Sequence, residues 1–292
     1  MRATHWFKYC AMLALASSSL GCHGSAQDVS IQGSGATFPA PLYKRWFLDD
    51  YQRDSAIRVN YSPIGSGAGI RQFTSGLVMF GASDAGMTKK EIAALPQNYG
   101  GVLLLPMTAG CIVLSYNVPG LSKPIRLSRT AYVKIFLRQI TKWNDQEIAK
   151  DNQGVSLPEQ NITVVTRADS SGTTYAFTSH MAAVAKALNV DWSPGVDKSV
   201  HWKEAIAAQG NDGVSALIQL TPGAIGYVEY GYAKLAKLPM AELENQSHQA
   251  LKTVLARCLD EQQQKTASEL GYLKLPNDVV ARLRTELAKI NG

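Results

Sequence analysis

The sequence predicts an α/β fold with mainly parallel sheets, and three observations carry that prediction. Short β-branched or apolar runs alternate with segments whose apolar residues recur at helical spacing. Three of the runs lead into helices through turns rich in Gly, Ser and Thr: Gly33 to Phe38, Gly65 to Gly69 and Ser170 to Thr174. Nothing repeats at a fixed period, and parallel strands need helices over both faces.

The start, residues 1–26, reads as an export signal. Arg2 and Lys8 precede an apolar run from Tyr9 to Leu20, no acid occurs through Ala26, and the run is too short to span a bilayer as a helix. Two exits fit. Cleavage after Ala26 releases a soluble protein, whereas Ser19-Leu20-Gly21-Cys22 resembles a bacterial lipoprotein box, with Ser where Leu is usual, and would leave a lipid anchor on Cys22.

Losing Arg2 and Lys8 lowers the net charge of +6 to +4, and no basic run points to nucleic acid. With 46% hydrophobic residues the 292-residue chain can build one large core or two of ordinary size. Of four cysteines, Cys10 and Cys22 belong to the leader. Cys111 and Cys258 lack metal-ligand spacing and can form one bridge or stay as two thiols.

Along the mature chain, Ser30-Ile31-Gln32 is a strand and a helix follows from Pro39 or Pro41, with Leu42, Tyr43, Trp46, Phe47 and Tyr51 on one side. Ile57, Val59 and Tyr61 alternate as a strand, and the Gly65–Gly69 turn leads to a short helix over Ile70 to Thr74. Val78 to Ala82 is a third strand, ending in Ser83-Asp84. Thr88 with Glu91 makes a capping box. Val102–Leu105 and Cys111–Tyr116 read as strands, and Ser128–Lys150 as mostly helical with a fresh cap at Trp143-Asn144-Asp145. Asn211-Asp212-Gly213 reads as a turn before a short helix, and Ala224–Val228 as a strand. From His248 the chain is helical, and Pro276 opens a last helix facing inward through Val279, Val280, Leu283 and Leu287.

The most informative stretch is Val164 to Thr174. A β-branched run gives way to Ser170-Ser171-Gly172-Thr173-Thr174, and Phe177, Met181, Val184 and Leu188 then fill one helical face. A helix N-terminus has unpartnered N–H groups and a positive dipole end, so it suits an anion. Arg167 adds a planar cation that Asp169 can hold in place. The plainer reading is an N-cap with a surface ion pair. What favours the anion is repetition, because ligands of open α/β sheets lie where such turns converge beyond the strand ends. The donors there are backbone N–H groups, the hydroxyls of Thr37, Ser66, Ser171 and Thr173, and Arg167, with no lysine. That set suits a small, dehydrated, tetrahedral oxyanion. Asp84 fits if the ligand carries a proton for it to accept; otherwise it caps the next turn outside the cleft.

Rival chemistries fit less well. Gly65 to Gly69 is not a dinucleotide fingerprint, there is no Walker A pattern, and no Gly-x-Ser-x-Gly turn marks a hydrolase. His180 and His201 are isolated, and the tryptophans read as packing residues rather than a stacking platform.

The segments GSGATFPAPLY, IGSGAG, FGASDAGM, VVTRADSSGTTYAFT and GAIGYVEYGYAK, in this order and spacing, resemble the periplasmic phosphate-binding proteins of bacterial high-affinity phosphate ABC transporters, the Pst type. The tail from Ala250 to Leu287 resembles that family's C-terminus as well. The resemblance implies a two-lobed class II Venus-flytrap fold. One lobe would comprise residues 27–108 with 249–292 and the other 109–248, with inorganic phosphate held between them. The implied ligand residues are Thr37, Phe38 through its N–H, Ser66, Asp84, Arg167, Ser171, Gly172 and Thr173, with Asp169 holding the arginine. No metal, cofactor or catalytic residue is implied. The expected protein is a monomeric periplasmic receptor that hands phosphate to inner-membrane ABC permease subunits. Two alternatives remain open. One is a secreted phosphate-ester hydrolase using Ser171 or Thr173, and the other a shortened scavenger that no longer docks. The second arises because the family carries several dozen more residues between Tyr232 and Ala250, including a strand that returns to the first lobe.

Overall fold

A computed structural model of the chain describes residues 29–121, 123–244, 261 and 277–288. The leader with Cys22, Cys258, and most of the helical tail expected from His248 lie outside them. The described residues form two lobes, each with its own main sheet, as the family resemblance implies.

The first lobe runs β1 (Val29–Gly35), α1 (Ala40–Arg53), β2 (Ile57–Pro63), α2 (Ser66–Thr74), β3 (Phe80–Ala82) and α3 (Lys89–Ala93). Its sheet is parallel throughout, in the order β2-β1-β3. Proline fixes the start of α1, with Pro39 at the N-cap and Pro41 in the first turn, where a missing N–H costs nothing. Thr88 and Glu91 form the expected capping box on α3. Tyr43, Trp46, Phe47, Tyr61 and Phe80 pack ring on ring between α1 and the sheet.

The second lobe runs β4 (Ile112–Tyr116), β5 (Arg126–Leu127), α4 (Arg129–Phe136), α5 (Gln146–Ala149), β6 (Thr163–Arg167), α6 (Gly172–Ala187), β7 (Ala205–Ala208), α7 (Gly210–Leu220), β8 (Ala224–Glu229), α8 (Tyr230–Leu235) and β9 (Glu242–Leu243). The main sheet is ordered β4-β8-β6-β7, with only β4 antiparallel. Both of its faces are buried. Val164, Ile225 and Tyr227 face Phe136, Trp143, Phe177 and Met181, whereas Val165, Ala224 and Val228 face Val214, Ile218 and Ala233. Alternation along β6 and β8 sorts these residues, and covering both faces makes the strands read as continuous apolar runs. Trp143 is fully buried and donates its indole N–H to Gly223 O at 3.0 Å. A last helix, α9 (Asn277–Ala288), follows Pro276.

Several expectations differ from the structure. Gly67 to Gly69 are not a loop but the first turns of α2. They are small because α2 lies on β1: a Cβ on Gly69 would sit 2.3 Å from Gly35 Cα. Ser128–Lys150 is helical only over α4 and α5, with Asp145 capping the latter. Asn211-Asp212-Gly213 lies inside α7 rather than before it. Val102–Leu105 is not a strand: Leu103 is 78% exposed, and no described strand flanks it to complete a ladder. Val279 and Val280 are half-buried and Leu283 is exposed, so α9 shows no buried face among the described residues. Cys111 is exposed and free. His180 stacks on Tyr132, a packing role, and His201 is exposed. Among the described residues no helix is long and apolar enough to cross a membrane, and no His, Cys, Asp and Glu cluster could hold a metal ion.

Candidate functional site

The C-terminal ends of β1, β3 and β6, and the N-termini of α1, α2, α6 and α7, meet where the two lobes touch. On the second lobe β6 ends at Arg167, whose side chain is 1% exposed. Asp169 grips it with both oxygens, accepting from Nε at 2.7 Å and Nη2 at 2.5 Å. Nη1 is buried and has no hydrogen-bond partner among the described residues. Asp169 Oδ1 also accepts the Gly210 N–H at 3.0 Å. Burial alone would raise the Asp169 carboxyl, but the hydrogen bonds and charge of Arg167, with the Gly210 N–H, outweigh it and hold the group below the usual range. So the pair is an ionised clamp with one donor left over.

Ser171 caps α6, its Oγ accepting the Thr174 N–H at 3.1 Å, and is fully buried. The next N–H, of Gly172, donates to Ser66 Oγ at 3.0 Å, across to the first lobe. Gly172 needs to be glycine, because a Cβ there would come within 2.6 Å of Ser66 Oγ and 2.7 Å of Asp84 Cβ. Thr173 Oγ1 donates to Asp84 Oδ2 at 3.2 Å.

On the first lobe, Ser66 opens α2 and also accepts the Asp84 N–H at 3.4 Å. Asp84 follows β3 and does not cap the next turn, since Ser83 satisfies Ala85 and Thr88 caps α3. Burial pushes its carboxyl up to about 6, only partly offset by the Thr173 hydrogen bond and the Arg167 charge. Thr37 follows β1; it is buried, and its carbonyl accepts the Tyr232 hydroxyl of α8 at 2.7 Å. The preceding carbonyl, of Ala36, accepts Tyr61 OH at 2.6 Å. Phe38 comes next, half-buried, with its ring against Gly110.

Thus the structure brings Thr37, Ser66, Asp84, Arg167, Ser171, Gly172 and Thr173 to one interlobe cluster, with Phe38 adjoining Thr37 and Asp169 behind the arginine. Two further residues stand there that sequence reasoning missed. Asn211, fully buried, donates its N–H and Nδ2 to Thr37 Oγ1 at 3.1 and 2.9 Å. The overlooked signal was a fourth turn of the same kind, the small-residue strand Ala205–Ala208 running into Gly210-Asn211. The other is Lys198, whose carbonyl accepts the Ser171 N–H and whose Nζ pairs with Glu91 of the first lobe at 2.6 Å. A cavity of about 540 Å³ lined by Gln32, Phe73, Met79 and Tyr99 shares no residue with this cluster.

The Glu91–Lys198 pair is an ionic tie between the lobes, with side chains only 26% and 10% exposed. Burial raises the Glu91 carboxyl, but hydrogen bonds from Lys198 and Thr88 outweigh this and leave it lowered. A lowered acid contributes to the folded form above its ordinary value of 4.5, and that contribution is lost as pH falls below it. Glu91→Gln keeps the capping box and removes only the charge. It is expected to weaken binding of an anion between the lobes by about two- to fivefold at pH 7, an effect that shrinks with salt and at acid pH. A binding titration at two ionic strengths checks this, and a salt-independent loss would rule out the ionic tie.

Comparison with known proteins adds three findings. A family model described as a PBP superfamily domain matches residues 22–281. The phosphate-binding protein PstS of Pasteurella multocida (strain Pm70) is 39% identical over 245 residues, 83% of this chain and 68% of that protein. The phosphate-binding protein PstS of Haemophilus influenzae is also 39% identical, over 79% of this chain and 67% of its own. The chain therefore spans about two thirds of the length of these relatives. Among solved structures, a phosphate-bound ABC-transporter substrate-binding protein from Clostridium perfringens overlays with a TM-score of 0.56 at 17% identity, covering 85% of this chain and 100% of that one. A phosphate-binding protein from Stenotrophomonas maltophilia overlays at 0.59 with 23% identity, covering 74% and 65%. These two overlays speak for the fold alone.

Proposed function

Because the chain belongs to the phosphate-binding protein family of the PBP superfamily, we propose that it captures inorganic phosphate between its two lobes. The observation that carries this reading is the Arg167 guanidinium, buried, clamped by Asp169 and left with an Nη1 that has no partner among the described residues, in a cluster where Ser66 meets Gly172, Thr173 meets Asp84, and Asp84 feels the Arg167 charge. A desolvated cation surrounded by hydroxyls and helix N-termini binds a compact oxyanion strongly, because charge-assisted bonds there do not compete with water. The residues that hold phosphate in this reading are Thr37, Phe38 through its N–H, Ser66, Asp84, Arg167, Ser171, Gly172 and Thr173. The lobes that close on it are residues 27–108 with 249–292, and 109–248. The family's members bind their ligand without converting it, so the hydrolase alternative is set aside. The finer parts of the reading are that the chain is exported, either free in the periplasm or anchored through Cys22, that it acts as a monomer, and that it hands phosphate to an inner-membrane ABC permease. Phosphate uptake by a strain carrying this chain as its sole receptor would separate delivery from scavenging.

The direct test is calorimetry on mature protein stripped of ligand, with phosphate, arsenate and sulfate as titrants. Phosphate should also raise the melting temperature, since a ligand that binds only the folded form stabilises it by mass action. At a hundredfold excess over Kd the gain is about 2.7 kcal/mol, or roughly 5–10 °C for a chain of this size. Identical melting curves with and without saturating phosphate, in a folded sample, would contradict phosphate capture.

A further inference from the structure

We propose that Asn211 is a positioning residue that fixes the hydroxyl protons of the anion site, committing Thr37 to donate and leaving Asp84 as the acceptor. The inference rests on the reading of this cleft as a phosphate site, and it concerns a residue outside the ligand set given above.

Asn211 is the second residue of α7 and is fully buried. Its Oδ1 accepts the Glu229 backbone N–H at 2.9 Å. That bond decides which way the amide faces, because a flipped amide would set a donor against a donor. Nδ2 is therefore turned to the two threonines. It donates to Thr37 Oγ1 at 2.9 Å and to Thr173 Oγ1 at 3.3 Å, while the Asn211 backbone N–H donates to Thr37 Oγ1 at 3.1 Å.

A hydroxyl oxygen has two lone pairs and one hydrogen. Thr37 Oγ1 accepts two N–H groups, so both lone pairs are engaged and its hydrogen can only be donated. Thr173 Oγ1 accepts from Asn211 and passes its hydrogen to Asp84 Oδ2 at 3.2 Å. The sequence of bonds from Glu229 N–H through Asn211 and Thr173 to Asp84 thus runs in one direction.

A freely rotating threonine hydroxyl can donate to an oxyanion or accept from a protonated one. With Asn211 in place Thr37 has no such choice. An oxyanion in the cleft meets donors from Thr37, from Ser66, whose oxygen likewise accepts two N–H groups, and from Arg167 Nη1, with Asp84 as the carboxylate acceptor of the described cluster. That pattern selects a tetrahedral oxyanion carrying one proton. Asn211 imposes it across the lobe boundary, since Thr37 belongs to the first lobe and Asn211 to the second.

The test is a double-mutant cycle read by phosphate calorimetry, using Asn211→Ala, Thr37→Val and the pair, each checked for folding by circular dichroism. Each single change should weaken phosphate roughly ten- to thirtyfold, the cost of one buried hydrogen bond lost or misdirected. The pair should lose clearly less than the product of the two single losses, because part of the Asn211 effect runs through the Thr37 hydroxyl and the rest through Thr173. If Asn211→Ala costs the same factor on the Thr37→Val background as on wild type, the residue only packs the lobe and the proposal is wrong. Should Asn211→Ala fail to fold, the isosteric Asn211→Asp decides. Its carboxylate would draw the Thr37 hydrogen away from the ligand at neutral pH, and on protonation at acid pH it could donate again. Its loss relative to wild type should therefore shrink as pH falls, and a loss independent of pH overturns the assignment. Wild type that binds no phosphate refutes the phosphate reading itself, and this inference with it.

Discussion

Arg167→Ala is expected to weaken phosphate binding by about thirtyfold to several thousandfold, the range set by about 2–5 kcal/mol for a buried charge-assisted contact. The effect is large because the guanidinium is 1% exposed and the lysine nearby, Lys198, has its ammonium committed to Glu91. Part of the loss would not come from phosphate at all. Removing Arg167 strands the Asp169 carboxylate, which both of its oxygens now commit to the guanidinium. A second negative charge would then face the ligand. Arg167→Ala with Asp169→Asn should therefore bind better than Arg167→Ala alone, which separates the stranded charge from the lost donor. Arg167→Lys should recover only part, because an ammonium cannot grip Asp169 at two points and still present a third, fixed N–H to the ligand. Calorimetry of the four proteins checks the order, and near-normal affinity in Arg167→Ala would remove Arg167 from the site.

Much of the cluster was legible in the sequence because its parts are local. Each of the strand-to-helix turns at Thr37, Ser66 and Ser171 is encoded within a few residues by Gly, Ser and Thr, and the cap at Ser171 forms as its position requires. What the sequence could not display was how those turns lean on one another. Gly67 and Gly69 look like loop residues, yet they lie within α2, where a Cβ would strike Ser170 or Gly35. Their smallness serves an approach between elements, which no local rule reveals. Asn211 was misread for the same reason. Beside Asp212 and Gly213 it resembles a turn, whereas its role is set by Thr37, 174 residues away. Val102–Leu105 erred in the other direction. Its composition suits a strand, but a strand exists only as part of a ladder, and no described neighbour supplies one.

The sharpest expectation concerns selectivity and rests on Asp84. A carboxylate inside an anion site costs binding unless the ligand brings a proton for it to accept. Phosphate and arsenate do so near neutral pH, while sulfate would set lone pair against lone pair. A site built around such a hydrogen bond rejects the analogue lacking it by roughly four to five orders of magnitude, so phosphate should bind and sulfate essentially not. Because burial holds the Asp84 carboxyl up to about 6, the ratio should be greatest above that pH. It should fall below it, where a protonated Asp84 can donate to sulfate. The same shift has a consequence without ligand. An acid raised on folding stabilises the folded form below its ordinary value of 3.8, and that advantage is lost as pH rises through about 6. At pH 7 Asp84→Asn should therefore be more stable than wild type without phosphate, by an amount on the order of 3 kcal/mol at most. Its amide oxygen can still accept the Thr173 hydroxyl, while its nitrogen can donate to an unprotonated oxygen. Phosphate affinity should fall, sulfate affinity should rise, and the ratio should drop to within about a hundredfold. Calorimetry with both anions at pH 5 and pH 8 tests this directly. Wild type that binds sulfate as tightly as phosphate at pH 8, or Asp84→Asn that leaves the ratio unchanged, would show that Asp84 does not read the proton.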